Sequence, residues 1–411
     1  MQNNIKRDYF WNTIGVFAQN AISPLLLIAI TRINGIYDSG MFSFAFSISI
    51  IFWAIGMWGG RTFQVSDIKR EFPNRSYIFV RFMTSIIIFI GSIIFSLANG
   101  YNITKSAIII TLVVFKIIES ISDSIYGIMQ SHDGLHIAGK SLLYKSIGGF
   151  ILFITVDLFT KSVLLGSIML LLANITIFFL YDLRIAKKLE DLTFYKSQIN
   201  EFYKKSILIM KKCSPVFVIS FLSMFSLNIP RYFIDRYHPE QIGYFGIIAM
   251  PITLIAIIMS LILQPNVVSL SKYYIDKKYA IFCKTIRKIA TTTILIGLII
   301  LISTYAIGVP ALKFAFGIEF GDYKLALIIM VAGGIVNSLV SIFINILIVM
   351  RSFKSQFYIL LITNVALAIF SCIFIDKYGL IFGVILFFIV NILQFLLLYV
   401  LYKSYFGEIK K

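Results

Sequence analysis

Charge is scarce in this chain. Asp, Glu, Lys and Arg make up 14% of its 411 residues, against about a quarter in soluble proteins. With 59% hydrophobic residues and a mean hydropathy of +0.90, that scarcity excludes a soluble globular domain and places the chain in lipid. Acidic residues are the scarcer sign, 19 against 37 basic, leaving a net charge of +18. The excess does not point to nucleic acid, because the basic residues sit in short loops between apolar runs, where the positive-inside rule accounts for them. Cysteine is nearly absent. Cys213, Cys283 and Cys372 are widely spaced with no CxxC pattern, so neither a disulfide nor a zinc site is expected. No GxxxxGK[ST], GxSxG or HExxH stretch occurs, which leaves no basis for an ATPase or hydrolase. No signal peptide is expected: the first apolar run, 11–31, is too long, and no small-residue cleavage site follows it.

What is present is a series of apolar runs of membrane-spanning length. Twelve can be counted, at about 11–31, 38–60, 77–98, 106–128, 143–160, 163–183, 213–233, 242–264, 289–309, 325–350, 357–375 and 379–402. Only Asp157 and Lys161 mark the junction of the fifth and sixth. With the N-terminus inside, 27 Lys and Arg fall on the cytoplasmic side and 8 on the outer side, with Arg81 and Lys116 inside spans. Both termini are therefore expected in the cytoplasm. The connection 184–212 is the longest and divides the spans six and six. Its Ile185, Leu189, Leu192, Ile199 and Phe202 fall near helical spacing with lysines between, which suits an amphipathic surface helix or a basic loop serving topology alone. The expected lobes are 1–195, with helices 1–6, and 196–411, with helices 7–12. An ungapped offset of 203 aligns Gly40, Phe42, Val65, Ser66 and Lys69 with Gly243, Phe245, Val268, Ser269 and Lys272. An even number of spans per half makes this a parallel repeat, about a pseudo-two-fold axis along the membrane normal.

Polar residues inside the spans carry whatever function the chain has. Lys116, Glu119 and Asp123 stand at i, i+3 and i+7 in the fourth run, so all three project from one helix face. Lys116 is near the bilayer midplane, where a charge costs at least about 2.5 kcal/mol unless it is paired or faces water. A structural ion pair is one reading; a polar cavity wall handling a charged substrate or a coupling ion is the favoured one. Gln19 and Asn20 lie mid-span in the first helix, which Arg32 ends. Asn337, Asn345, Asn364, Asn391 and Gln394 recur in the late spans, where helix–helix hydrogen bonding is the default. Arg61 ends the second span, with Gln264 at its place in the second half, and Arg81 begins the third; snorkelling to the interface explains both arginines. Arg231 and Arg236 flank Asp235 at the end of the seventh. His132 and His136 fall in a turn-like stretch with no third ligand in view, so no metal is expected. Arg32, Arg61, Lys116 and Arg231 are the candidate cations for an anionic substrate.

The stretch ESISDSIYGIMQSHDGLHIAGKS, Glu119 to Ser141, resembles the region after the fourth span in the Wzx-type polysaccharide flippases of the MOP exporter superfamily. Asp123, Tyr126, Gly127, Gln130, His132, Asp133, Ile137 and Ser141 match the family's pattern; Gly134 stands where Arg is usual and His136 where Asp is usual. The motif covers about 25 residues, and the twelve-span architecture covers the chain. The resemblance implies an all-α membrane protein of two six-helix lobes, V-shaped around a central cavity, with Gln130, His132 and Asp133 in a cytoplasmic loop. It implies a flippase, not an enzyme, that moves polyprenyl-pyrophosphate-linked oligosaccharides across the bacterial plasma membrane by alternating access, for capsule, O-antigen or teichoic-acid-type polymers. The implied partners are that lipid-linked substrate, membrane lipids, and a polymerase and chain-length regulator of the same pathway. No cofactor is implied; Na⁺ or H⁺ coupling through Glu119 or Asp123 stays open. The rivals are a MATE-type drug/cation antiporter and, further off, a membrane polymerase, for which the short outer loop 310–324 offers only Lys313, Glu319, Asp322 and Lys324.

Overall fold

The computed structural model describes residues 2–67, 71–193 and 199–409, without the side chains of 2–5, 260, 261, 264, 265 and 407–409. Lys69 and the Gln264 side chain, both used in the repeat comparison, lie outside the described residues. Fourteen α-helices follow in order: α1 Gln2–Asn34, α2 Ile36–Gly56, α3 Arg61–Ser66, α4 Asn74–Ala98, α5 Ile103–Ser131, α6 Leu135–Thr160, α7 Val163–Ile177, α8 Arg184–Leu189, α9 Ile199–Ser223, α10 Phe225–Tyr237, α11 Ile242–Ile275, α12 Tyr279–Phe316, α13 Lys324–Val349 and α14 Phe353–Ile409. There is no strand among the described residues. In lipid a chain without a closed barrel has only this solution, because each helix satisfies its own backbone.

Ten helical stretches among the described residues are long and apolar enough to cross a membrane. The difference from the expected twelve lies at two places. Helix α5 is not among the ten, because Lys105, Lys116, Glu119 and Asp123 interrupt its apolar run. Helix α14 is two helices joined at Gly379, whose φ of 62° and ψ of −148° are not helical; only glycine adopts that conformation freely. The fifth and sixth spans part where Asp157 and Lys161 suggested, since α6 ends at Thr160 and α7 starts at Val163. The expected seventh span, 213–233, is instead α9 and α10 together, with a break at Met224. The turn after α5 is shorter than expected: α6 begins at Leu135, so His136 is helical.

The chain divides into two compact units, residues 1–217 and 218–411. In the first, α1 and α6 approach so closely that a Cβ on Gly139 would strike the Trp11 carbonyl group, and one on Gly15 would strike the Gly139 carbonyl. Small residues permit such backbone contact where lipid supplies no hydrophobic drive. The start of α9 is part of this unit. Trp58 Nε1 donates to the Met210 carbonyl at 2.9 Å, its ring stacks on Phe217 with centroids 4.0 Å apart, and Ser206 donates to the Ser76 carbonyl at 2.9 Å. The linker is clasped there too. Arg75 donates to the Asp191 and Thr193 carbonyls, each at 2.8 Å, and pairs with the Asp191 carboxylate at 2.6 Å. The second unit is built on α10–α14, with Phe282, Phe343, Leu347, Leu360 and Leu398 in its buried core.

Candidate functional site

The charged residues of α5 do not act as one triad. Lys116 and Glu119 form an ion pair at 2.6 Å, both about nine-tenths buried. Gln19 of α1 donates to the other carboxylate oxygen of Glu119 at 3.1 Å. The Lys116 ammonium also lies over the rings of Phe46 and Phe115, at 4.8 and 4.9 Å, a desolvated cation–π setting. One turn on, Asp123 turns to other partners. It pairs with Arg81 at 3.3 Å and with Arg61 at 3.6 Å. Arg81 does not snorkel: it is 1% exposed, and it also donates to the carbonyls of Gly56 and Trp58. Those carbonyls lie at and just beyond the end of α2, left without helical partners where the chain turns toward α3. A guanidinium with five donors can serve them and a carboxylate together, which makes burial preferable to the interface.

A second ion pair was not legible in the sequence. Lys145 of α6 meets Asp182 at 2.5 Å, with the two residues 4% and 0% exposed. Its ammonium donates further to Ser122 at 2.6 Å and to the Tyr126 hydroxyl at 3.1 Å. Ser141 donates to the other Asp182 oxygen at 2.5 Å and bonds Tyr126 at 2.9 Å. Asp182 sits in a π-helical turn, Phe178–Leu183, between α7 and α8. Such wide turns re-aim side chains and recur at functional sites. In sequence, Lys145 and Asp182 stand near span ends, 37 residues apart, where an unpaired surface charge is the ordinary expectation.

The family-like motif is therefore mostly an internal fastening. Asp123 holds two arginines, while Tyr126 and Ser141 bind the Lys145–Asp182 pair. Gly127 leaves room for the Gln64 amide, which a Cβ would strike and which donates to the Ser124 carbonyl at 3.1 Å. His132 is exposed and contacts the Ile128 carbonyl through Nδ1 at 3.0 Å. Asp133 is exposed with a φ of 56°. Gln130 is half-buried. His136, the departure from the family pattern, has its own partner: its Nδ1 meets Asp8 at 2.6 Å.

Between the two ion pairs lies a small polar cavity lined by Gln19, Glu119, Ser122, Tyr126, Lys145 and Asn174, with room for about one water-sized body. It can hold water or a small ion and is far too small for a sugar. The other candidates are spread out. Asn20 is exposed and bonds its own helix at the Val16 carbonyl, 2.8 Å away. Arg32 is exposed near the end of α1, and Arg61 is part-exposed past the far end of α2, about 30 Å away at the helical rise. In the second unit, Arg231 is 9% exposed, with its guanidinium 5.4 Å from the Phe245 ring centre; Asn337 is half-buried on α13.

No family model matches the chain. It is 26% identical over 400 residues to the capsular polysaccharide biosynthesis protein CapF of Staphylococcus aureus, a match covering 95% of this chain and 98% of that one. Among solved structures it is similar to an inward-facing MATE family multidrug resistance transporter of the MOP superfamily, with a TM-score of 0.72, 14% identity and 94% and 95% of the two chains covered. It is also similar to the lipid II flippase MurJ in an inward closed conformation, with a TM-score of 0.66, 17% identity and 98% and 88% covered. The chain thus has the all-α, multi-pass fold that these two transporters share. The whole-length likeness to CapF agrees with the resemblance that the motif on α5 and α6 carries.

Proposed function

We propose that this protein flips polyprenyl-pyrophosphate-linked oligosaccharide units from the cytoplasmic to the outer leaflet of a bacterial plasma membrane, by alternating access, for a cell-surface polysaccharide. The observation that carries the reading is the whole-length likeness to a capsular polysaccharide biosynthesis protein. The charge asymmetry supports cytoplasmic termini. A pyrophosphate headgroup of about two charges cannot cross hydrocarbon bare, since desolvating an ion costs many kcal/mol. Arg61, Arg32, Arg231 and Lys116 are the candidates to replace its hydration, with Gln19, Asn20 and Asn337 as neutral donors. Arg61 leads this group, because it keeps solvent exposure while Asp123 orients it. A membrane potential negative inside favours outward movement of the anion by about 2.3 kcal/mol per charge per 100 mV. The polymerase and chain-length regulator of the same pathway are the natural partners, since they take the flipped unit.

The test is reconstitution in liposomes with a lipid-pyrophosphate oligosaccharide whose exposure in each leaflet is measured. Flipping that accelerates with an inside-negative potential, and slows in Arg61→Ala, is expected. Export of cationic dyes without any flipping would overturn the reading in favour of a MATE-like antiporter.

A further inference from the structure

The buried carboxylates of the first unit are not alike. Glu119, Asp123 and Asp182 each have a cation at ion-pairing distance. Asp157 has none among the described residues. It is 0% exposed, and its only hydrogen bond from a side chain among the described residues is from Asn34 of α1, which donates through Nδ2 to Oδ1 at 2.8 Å. Two oxygens are left over at this contact: Asp157 Oδ2 and Asn34 Oδ1 are both buried, and neither has a hydrogen-bond partner among the described residues.

A carboxylate cannot resolve that arrangement. It has no donor to offer Asn34 Oδ1, and a buried, unneutralised charge is among the most unfavourable groups a fold can carry. A carboxylic acid resolves both faults at once. With a proton on Oδ2, an O–H···O bond to Asn34 Oδ1 would satisfy the two orphan oxygens and close the two-bonded ring in which a carboxylic acid and a primary amide pair. We propose that Asp157 and Asn34 form a proton-binding site, occupied in this conformation and joining the ends of α1 and α6.

The charged surroundings set what the proton responds to. Asp38, in the first turn of α2, is near enough to repel an ionised Asp157. Lys161, just past α6, is near enough to attract it, but its ammonium donates to the Ile33 carbonyl at 3.5 Å. Helix α7, packed on α6, brings no titratable residue. Arg32 of α1 is exposed, and Lys105 of α5 sits over the Phe44 and Tyr101 rings at 4.6 and 4.2 Å. Only the purpose of the proton rests on the transporter reading: there it is the ion whose release and rebinding resets the carrier. The site itself stands without a substrate.

The test is infrared spectroscopy of the protein reconstituted in lipid, with no substrate, following the C=O stretch of protonated carboxyl groups against pH. A protonated band at neutral pH that is lost in Asp157→Asn is expected. The same band surviving in Asp157→Asn would overturn the proposal. So would a wild-type band that disappears when Na⁺ replaces K⁺ at constant pH, since the occupant would then be the metal cation. Should Asp157→Asn fail to insert, Asp38→Asn decides: removing the like charge must lower the pH at which the band vanishes, and an unmoved titration assigns the band elsewhere. Because no transport is read, failure here is separate from failure of the flippase assignment.

Discussion

Replacing Lys145 by Met should be among the most damaging single changes in the first unit. The methionine keeps the volume and removes the ammonium, leaving Asp182 at 0% exposure with only the Ser141 and Tyr126 hydroxyls as donors. Breaking a buried pair on one side costs about 3–5 kcal/mol, because the surviving charge stays desolvated. The lost bonds into the Ser122 and Tyr126 oxygens add little, since both hydroxyls keep the acceptors they already donate to, the Ile118 carbonyl and Asp182. The folding equilibrium should shift by roughly a hundredfold to several thousandfold. The double variant Lys145→Met with Asp182→Asn should recover at least half of the loss, since an amide still bonds Ser141 without a charge to solvate. Denaturant unfolding of the purified protein in mixed micelles, followed by tryptophan fluorescence, measures both. A single variant that loses less than about 1 kcal/mol would place the pair in water and refute the reasoning. A double variant no better than the single would refute it equally.

Other outcomes follow from the same geometry. Gly139→Ala should destabilise by at least about 1–3 kcal/mol, because the obstruction is the Trp11 backbone, which cannot step aside; Gly148→Ala, whose Cβ meets only the Ile177 methyl at 3.7 Å, is the neutral control in the same unfolding assay. Ser131→Cys, at an exposed position, should resist an impermeant thiol reagent on intact cells and react once they are permeabilised; ready labelling of intact cells would reverse the assigned orientation. The Thr193 hydroxyl and backbone N–H hold the Asp191 carboxyl below its ordinary 3.8, and Arg75 adds to the effect. A depressed value means the contribution is present above the unfolded value and fades as pH falls through the folded one, so the linker clasp should persist at about pH 5 and open only at strongly acid pH. Exchange protection of the Thr193 amide, which donates to Asp191 at 3.0 Å, reports it, and loss of protection at about pH 5 would contradict the argument.

Composition and periodicity are enough to establish the class of fold. Apolar runs of about twenty residues force helices, because an unsatisfied backbone has no place in lipid, and Asp157 and Lys161 marked a true junction. The motif from Glu119 to Ser141 was equally legible, as was the pairing of Lys116 with Glu119 as one of two readings, because both follow from spacing along one helix. What the tertiary structure decided is which distant groups meet. That Asp123 belongs to Arg81 and Arg61, that Lys145 finds Asp182 through a π-helical turn, and that Asp157 is left to an asparagine depend on helix packing. A span-end charge looks the same in sequence whether it ends in water or in a partner's hand. Arg81 shows why: its position near a helix start suggested the interface, and only the free carbonyls of Gly56 and Trp58, brought beside it by the fold, made burial the better solution.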